Sequence, residues 1–333
     1  MKTMKAVGFD AGLPISSPNS LRDLELPVPE ATGFDLLVEV RAVSVNPVDT
    51  KVRAGSPSLE TPRVIGYDAV GTVVAVGPDV TRFAVGDKVY YAGSIGRSGT
   101  NAQYHLVREN IVGHKPQSLS DAAAAALPLT AITAWEALFD KLKLAPSDSG
   151  TLLVIGAAGG VGSLIIQLAK ALTDLKVIAV ASRPESSEWV QFMGADEVVP
   201  RDFASDVKRL APNGVDYVFT SFTPANLEAI ADVIKPRGQV VSIDQSGGSI
   251  DALKSKSITW HWELMFTRPL FEPHDYYQHQ LLNEFSGMID AGRIRSTLTT
   301  HIEPINAEGL RRAHELLESS TITGKVVLSN WPS

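Results

Sequence analysis

The stretch Leu152-Leu153-Val154-Ile155-Gly156-Ala157-Ala158-Gly159-Gly160-Val161-Gly162 is an apolar run that enters a glycine-rich turn, and a helical pattern begins at once behind it. The apolar positions Val161, Leu164, Ile165, Leu168, Ala169 and Leu172 recur at three- and four-residue intervals, the period that lets a helix lie on a sheet. In such a turn Gly159 lets the backbone approach a pyrophosphate and Gly162 permits tight packing of helix on strand. The helix N-terminus adds unpaired N–H groups and a positive dipole end, so an anion belongs there. Ala157 stands where the G-x-G-x-x-G fingerprint has its first glycine, so the weight rests on the strand, turn and helix context. A glycine turn in a ligand-free sheet is the alternative.

From Gly150 onward the pattern around this motif is one of strands alternating with helices. Residues 151–155, 177–181, 215–220 and 239–243 read as continuous apolar strands, as in a parallel sheet covered on both faces. Residues 5–107 differ. Short β-branched segments at 6–9, 36–45, 69–76, 88–91 and 104–107 lie between glycine and proline turns, which predicts a small barrel or sandwich. Residues 121–138 are Ala-rich with helical spacing and mark the crossing between the two patterns. An aromatic-rich stretch covers 260–266, residues 276–291 present one helical face through Leu281, Leu282, Phe285, Met288 and Ile289, and residues 323–328 read as a strand returning to the first domain. The expected fold is α/β: a Rossmann doubly wound parallel sheet at residues 126–269, beside a β-rich, barrel-like substrate domain at 1–125 and 270–333. At 333 residues a two-domain chain is the first expectation, and ligand sites favour the cleft between domains.

Cofactor choice is argued from the end of the second strand, about 20 positions beyond the turn, where an acidic residue would bind the ribose 2′-hydroxyl of NAD. The residues there are Ala181-Ser182-Arg183. A hydroxyl and a guanidinium suit a 2′-phosphate, so NADPH is expected. Ser182 also reads as a helix N-cap, with Pro184 in the first turn and Glu185 closing a capping box.

Composition narrows the chemistry. With no cysteine there is no disulfide, no thiolate nucleophile and no zinc site of the usual Cys-containing kinds. A net charge of -7 without a block of Lys and Arg argues against a nucleic-acid surface. No apolar run of about 18 residues stands out as a membrane span, and Met1-Lys2-Thr3-Met4-Lys5 leads into no apolar signal segment, so a soluble, cytoplasmic protein is expected. The seven histidines show no ligand spacing, and most of them read as surface or capping residues.

Several further motifs together resemble the medium-chain dehydrogenase/reductase superfamily, and within it the quinone oxidoreductase, or zeta-crystallin-like, branch. They are Ser44-Val45-Asn46-Pro47-Val48-Asp49, Gly66-Tyr67-Asp68-Ala69-Val70-Gly71 with Val76-Gly77 and Gly86-Asp87-Lys88-Val89, Leu127-Pro128 with Thr133-Ala134-Trp135, and the turn from Ala157 to Gly162. The segment Trp262-Glu263-Leu264-Met265-Phe266-Thr267-Arg268 resembles a bacterial subgroup labelled zinc-type alcohol dehydrogenase-like. Zinc-dependent members hold the metal with Cys and His where this chain has Asn46 and Tyr67, and residues 93–100 are all that stands for the lobe with a structural zinc. No metal ligand is therefore expected.

The resemblance implies that Asn46 and Thr133 lie beside the nicotinamide, Ala158, Gly159, Gly160 and Val161 at the pyrophosphate, and Ser182 and Arg183 at the 2′-phosphate. Arg201 becomes a second phosphate cation, while Thr220, Ile243 and Lys325 are further cofactor candidates whose ordinary packing is an equal reading. It also implies reduction of a quinone or an enone by hydride transfer. Negative charge then develops on the substrate oxygen and needs a donor. The candidate catalytic residues are Asn46 through its amide, Tyr67 through its phenol, and Asp49, which orients the loop. The competing readings are an alcohol dehydrogenase with non-cysteine zinc ligands and a catalytically silent NADPH-binding sensor or structural protein. Pairing of an open sheet edge near residues 260–266 gives the expected partner, a second copy in a homodimer.

Overall fold

The computed structural model describes residues 2–332 and falls into two compact units. One comprises the chain up to Leu129 and from Phe266 onward; the other is Thr130–Met265.

The second unit is built on a six-stranded parallel sheet in the spatial order Glu197–Val199, Asp174–Val180, Ser149–Ile155, Val215–Thr220, Ile234–Ser242, Thr259–Trp262. Counted in chain order this is 3-2-1-4-5-6, the doubly wound Rossmann arrangement. The order reverses between Ser149–Ile155 and Val215–Thr220, and ligands of such sheets bind beyond the strand ends at that switch point. The central strands are buried on both faces, which is why they read as unbroken apolar runs. Helix Gly160–Leu172 follows the first strand and buries Leu164, Ile165, Ile166 and Leu168 completely. Each such side chain contributes about 1.5–3 kcal/mol by leaving water.

The first unit is organised by the strand Asp35–Val45. Ala69–Val76 pairs with one edge of it. Along the other edge Tyr104–Arg108 takes residues 35–39, and Lys325–Ser329 takes 42–45. The returning C-terminal strand therefore lies against the last residues before Asn46. Leu298–Ile302 extends this seven-stranded sheet, and a separate three-stranded sheet joins Arg22–Pro27, Thr3–Phe9 and Arg63–Val64. The core includes Val38, Val40, Val43, Val73, Val89, Val326 and Leu328.

One expectation is corrected. Asp121–Lys141 is a 21-residue helical stretch with a mean hydropathy of 1.4 in its most apolar window, long and apolar enough to cross a membrane, although 83% of that window is buried within the protein. A turn at Ala126 and Leu127 masks its length in the sequence, since the helical pattern breaks between Asp121–Ala125 and Pro128–Trp135. Three of the seven histidines, His105, His279 and His314, are buried, and the other four are not. His105 bonds Tyr91 Oη at 3.1 Å and Ser98 O at 2.9 Å, and burial pushes its pKa down to about 4, so it is neutral packing.

Candidate active site

One candidate region is the turn after Ser149–Ile155 in the second unit. Gly156 has φ +86°, and a Cβ there would lie 2.1 Å from Ser221 Oγ, so both conformation and space demand glycine. At Gly162 a Cβ would come within 2.4 Å of Gly156 O and 2.6 Å of Ala157 Cα. The start of the helix thus sits directly on the strand end. A Cβ on Gly159 would meet only Gly156 O, at 3.5 Å, so this side of the turn is open backbone. Gly159 is the helix N-cap, and Ala158, Gly159, Gly160 and Val161 are all partly exposed. Ser163 Oγ donates to Gly159 O at 2.7 Å and accepts from Trp189 Nε1 at 2.8 Å, which fixes the capping carbonyl. The first N–H groups of the helix remain for an anion.

At the tip of the next strand Ser182 Oγ accepts from Arg201 N at 2.8 Å, bringing the Arg183 and Arg201 segments together. Ser182 is therefore not the N-cap: Arg183 occupies that position, and Ser186, not Glu185, closes the turn by accepting from Arg183 N at 3.1 Å. Neither Arg183 nor Arg201 has a carboxylate partner among the described residues. Farther along the sheet Ile243 N donates to Thr220 O at 3.2 Å, so these two candidates are neighbours at the strand ends. Thr220 is fully buried and its hydroxyl accepts from Phe222 N. Thr133 is buried in the helix Pro128–Trp135.

The other candidate region is a buried polar cluster in the first unit. Asn46 caps the helix Pro47–Ala54, and Asp49 Oδ2 accepts from Asn46 N at 2.7 Å. Asn46 Nδ2 donates to Asp68 Oδ2 at 2.8 Å and Tyr67 O at 3.2 Å, while its Oδ1 accepts from Lys325 Nζ. The amide is fully spent inside the protein, which removes Asn46 as a donor to a substrate oxygen. Lys325 is likewise neither solvated nor free for a phosphate. Its ammonium is buried and gives its three N–H groups to Val45 O, Asn46 Oδ1 and Asp68 Oδ2. Asp68 also accepts from Ser44 Oγ at 2.6 Å and Leu129 N at 2.7 Å. Burial pushes Asp68 up and Lys325 down, each opposed by the other's charge. Asp49 is pushed up to about 7 by burial, against the pull of its Asn46 hydrogen bond and of Lys325. Tyr67, packed edge-to-face on Phe266, is raised by burial and then by Asp49, with Arg63 opposing.

Asp68 and Ser44 are the cluster members that sequence reasoning does not assign. Asp68 is visible in the motif after Gly66, but its partner Lys325 lies 257 positions away.

Two family models match: an alcohol dehydrogenase GroES-like domain at residues 33–117 and a zinc-binding dehydrogenase at 193–328. A zinc-type alcohol dehydrogenase-like protein of Staphylococcus epidermidis is 39% identical over 336 residues, covering 98% of this chain and 99% of the relative. The chain belongs to the medium-chain dehydrogenase/reductase superfamily. A 2-methylene-furan-3-one reductase of Solanum lycopersicum is 30% identical over 92% of this chain and 74% of the relative. Among solved structures, a Rhizobium etli protein assigned as a zinc-dependent alcohol dehydrogenase superposes with a TM-score of 0.95 at 51% identity, over all of both chains. The quinone oxidoreductase of Coxiella burnetii does so at 0.84 and 28% identity, over 99% of this chain and all of that one.

This member of the superfamily is accordingly an oxidoreductase that binds a nicotinamide dinucleotide, and the open glycine turn fits that group. The residues do not fit zinc. Position 46 offers an amide whose oxygen faces an ammonium, position 67 a phenol, and no group of three His, Cys, Asp or Glu side chains is arranged to hold a metal among the described residues.

Proposed function

We propose that the protein reduces quinones or α,β-unsaturated carbonyl compounds with NADPH and without zinc. The observation that carries this reading is the tip of the second Rossmann strand, where no acid is present and two arginines without carboxylate partners flank Ser182. A 2′-phosphate supplies the charge they lack, and a charge-assisted bond of that kind contributes about 1.5–3 kcal/mol. The quinone oxidoreductase and furanone reductase named among its relatives support the substrate class. The bound dinucleotide supplies the hydride. The chain's own work is to hold that dinucleotide by Gly159, Gly160 and Val161 and to meet the charge that grows on the substrate oxygen. Tyr67, whose phenol lies among the charges of Asp49 and Arg63, is the candidate donor of this reading.

The strand Thr259–Trp262 is one of the two outer strands of the six, and Trp262 at its end and Leu264 just after it are exposed. Pairing of that edge with a second copy is part of the same reading.

The test is a panel of quinones, enones and alcohols followed by NADPH absorbance, with metal content measured on the same preparation. Turnover of quinones or enones without bound zinc is expected, and replacing Ala181 by Asp together with Arg183→Ala should move preference toward NADH. An unchanged NADPH/NADH ratio in that variant, or activity that tracks zinc, would overturn the reading.

A further inference from the structure

The first unit holds a cavity of about 170 Å³ that none of Asn46, Asp49, Tyr67, Asp68 and Lys325 lines. Its walls come from three places in the chain: residues 93–97, the strand Tyr104–Arg108 with Asn110 and Ile111 behind it, and residues 269–273. The third wall leans directly on the first, because a Cβ on Gly96 would lie 3.0 Å from Leu270 Cδ2. Val107, Ile111, Pro269, Leu270 and Pro273 give the cavity apolar sides.

Two arginines line it, and they differ. Arg97 donates from Nη1 and Nη2 to the two Asp35 oxygens at 2.7 and 2.9 Å, so its charge is answered. Arg108 has no such partner. Neither an ion pair nor a hydrogen bond engages its side chain among the described residues, and its Nε is buried without an acceptor. The guanidinium lies 5.4 Å from the centre of the Phe34 ring, a contact that attracts the cation without spending an N–H donor. Asn110, two residues on and only 3% exposed, carries an acceptor in the same condition: its Nδ2 donates to Asp275 O at 2.7 Å, and its Oδ1 is unpartnered. A carbonyl can only accept, so the amide is oriented by Asp275 and the free atom is the oxygen. Native proteins seldom leave buried donors and acceptors unpaired, and the two side chains that do so here line one cavity.

We propose that this cavity binds a single-ring aromatic carboxylate bearing a hydroxyl, with the carboxylate on Arg108, the hydroxyl donating to Asn110 Oδ1 and the ring against Ile111, Pro269 and Leu270. Size selects one ring, since an apolar cavity of about 150 Å³ is enough for benzene. Charge selects a planar anion, because a guanidinium offers paired N–H groups that match a carboxylate edge to edge. Apolar walls select against a bare phosphate, whose other oxygens would lose water to them without a partner. The acceptor selects the hydroxyl, for a plain benzoate leaves Asn110 Oδ1 unanswered. The whole site belongs to the first unit, and it stands apart from the reductase reading because direct binding tests it without turnover.

Isothermal titration of the full chain with benzoate, the hydroxybenzoate isomers and inorganic phosphate reads the site. At least one hydroxybenzoate should bind, with benzoate about fivefold weaker and phosphate not measurable. Arg108→Met keeps an unbranched stem but removes the guanidinium, and should weaken the hydroxybenzoate by about 10–100-fold. Leu270→Trp enlarges a side chain that is already exposed at the cavity, and should abolish binding with the unfolding midpoint unchanged. Hydroxybenzoates that fail to bind, benzoate or phosphate bound as tightly as all of them, or an affinity that survives both Arg108→Met and Leu270→Trp would overturn the proposal. Those outcomes leave the quinone and enone panel untouched, just as a silent panel leaves this titration standing.

Discussion

The glycine turn of the second unit and the polar cluster of the first solve opposite problems. The turn keeps its hydrogen-bonding groups unspent: the residues of the first helical N–H groups, Gly160 and Val161, are partly exposed, and Arg183 and Arg201 carry charge that no carboxylate answers among the described residues. The cluster spends nearly everything internally, so that Asn46, Asp68 and Lys325 present a closed network. A site that must bind a large anion gains from open donors on a rigid backbone. One that must hold distant strands in register gains from closure.

The sharpest way to break the contrast is Lys325→Met. It leaves Asp68 and Asp49 buried without their cation, and breaking a buried pair in this way costs about 3–5 kcal/mol. Denaturant midpoints should show that loss, with a clear pH dependence. Both carboxyls have folded-state pKa values above the unfolded value of 3.8, and removing the ammonium raises them further. As pH rises above that value the unfolded chain gives up its protons first, so the folded state loses ground until its own carboxyls titrate. The variant should therefore be closest to the parent near pH 4–5 and farthest from it above about pH 7. A pH-independent deficit would show that Lys325 acts by packing alone.

The contrast also explains what is legible in the sequence. The strands Ala69–Val76, Lys88–Tyr91 and Val215–Thr220 end where their β-branched runs end, because burial of each run is a local property. Arg22–Pro27 is invisible there: its side chains alternate between partial and full exposure, so no apolar face marks it. Residues 239–243 mark only the end of Ile234–Ser242, because Pro236 and Gly238 interrupt the apolar pattern before them. The glycine turn can be read because its whole logic lies within a few residues. The cluster cannot, since Asn46, Asp68 and Lys325 meet only through pairing of distant strands.

A smaller effect separates backbone space from side-chain chemistry at the turn. Gly162→Ala places a Cβ against three backbone atoms that cannot swing aside, unlike a side-chain tip. Overpacking of this kind costs about 1–3 kcal/mol, and the shift of helix against strand should weaken nucleotide binding by a comparable factor. Isothermal titration with NADPH and with NADH should show both affinities falling together, since the pyrophosphate end is shared. A loss confined to NADPH would place the damage at the 2′-phosphate instead.

The mildest change tests whether the turn is held from the adjacent helix. Trp189→Phe keeps an aromatic ring but removes the N–H that donates to Ser163 Oγ, while that hydroxyl still donates to Gly159 O. The loss of one such hydrogen bond is worth about 1 kcal/mol, or roughly a fivefold change in affinity. Trp189 lies on the helix that Arg183 caps, so this bond joins the helix carrying Arg183 to the capping carbonyl of the turn. If the joint matters, Trp189→Phe should weaken NADPH by more than NADH, because the change reaches the adenosine end through Arg183 as well as the turn. Equal weakening of both nucleotides would confine its influence to Ser163 and Gly159, and no weakening of either would leave the turn rigid through its glycines alone.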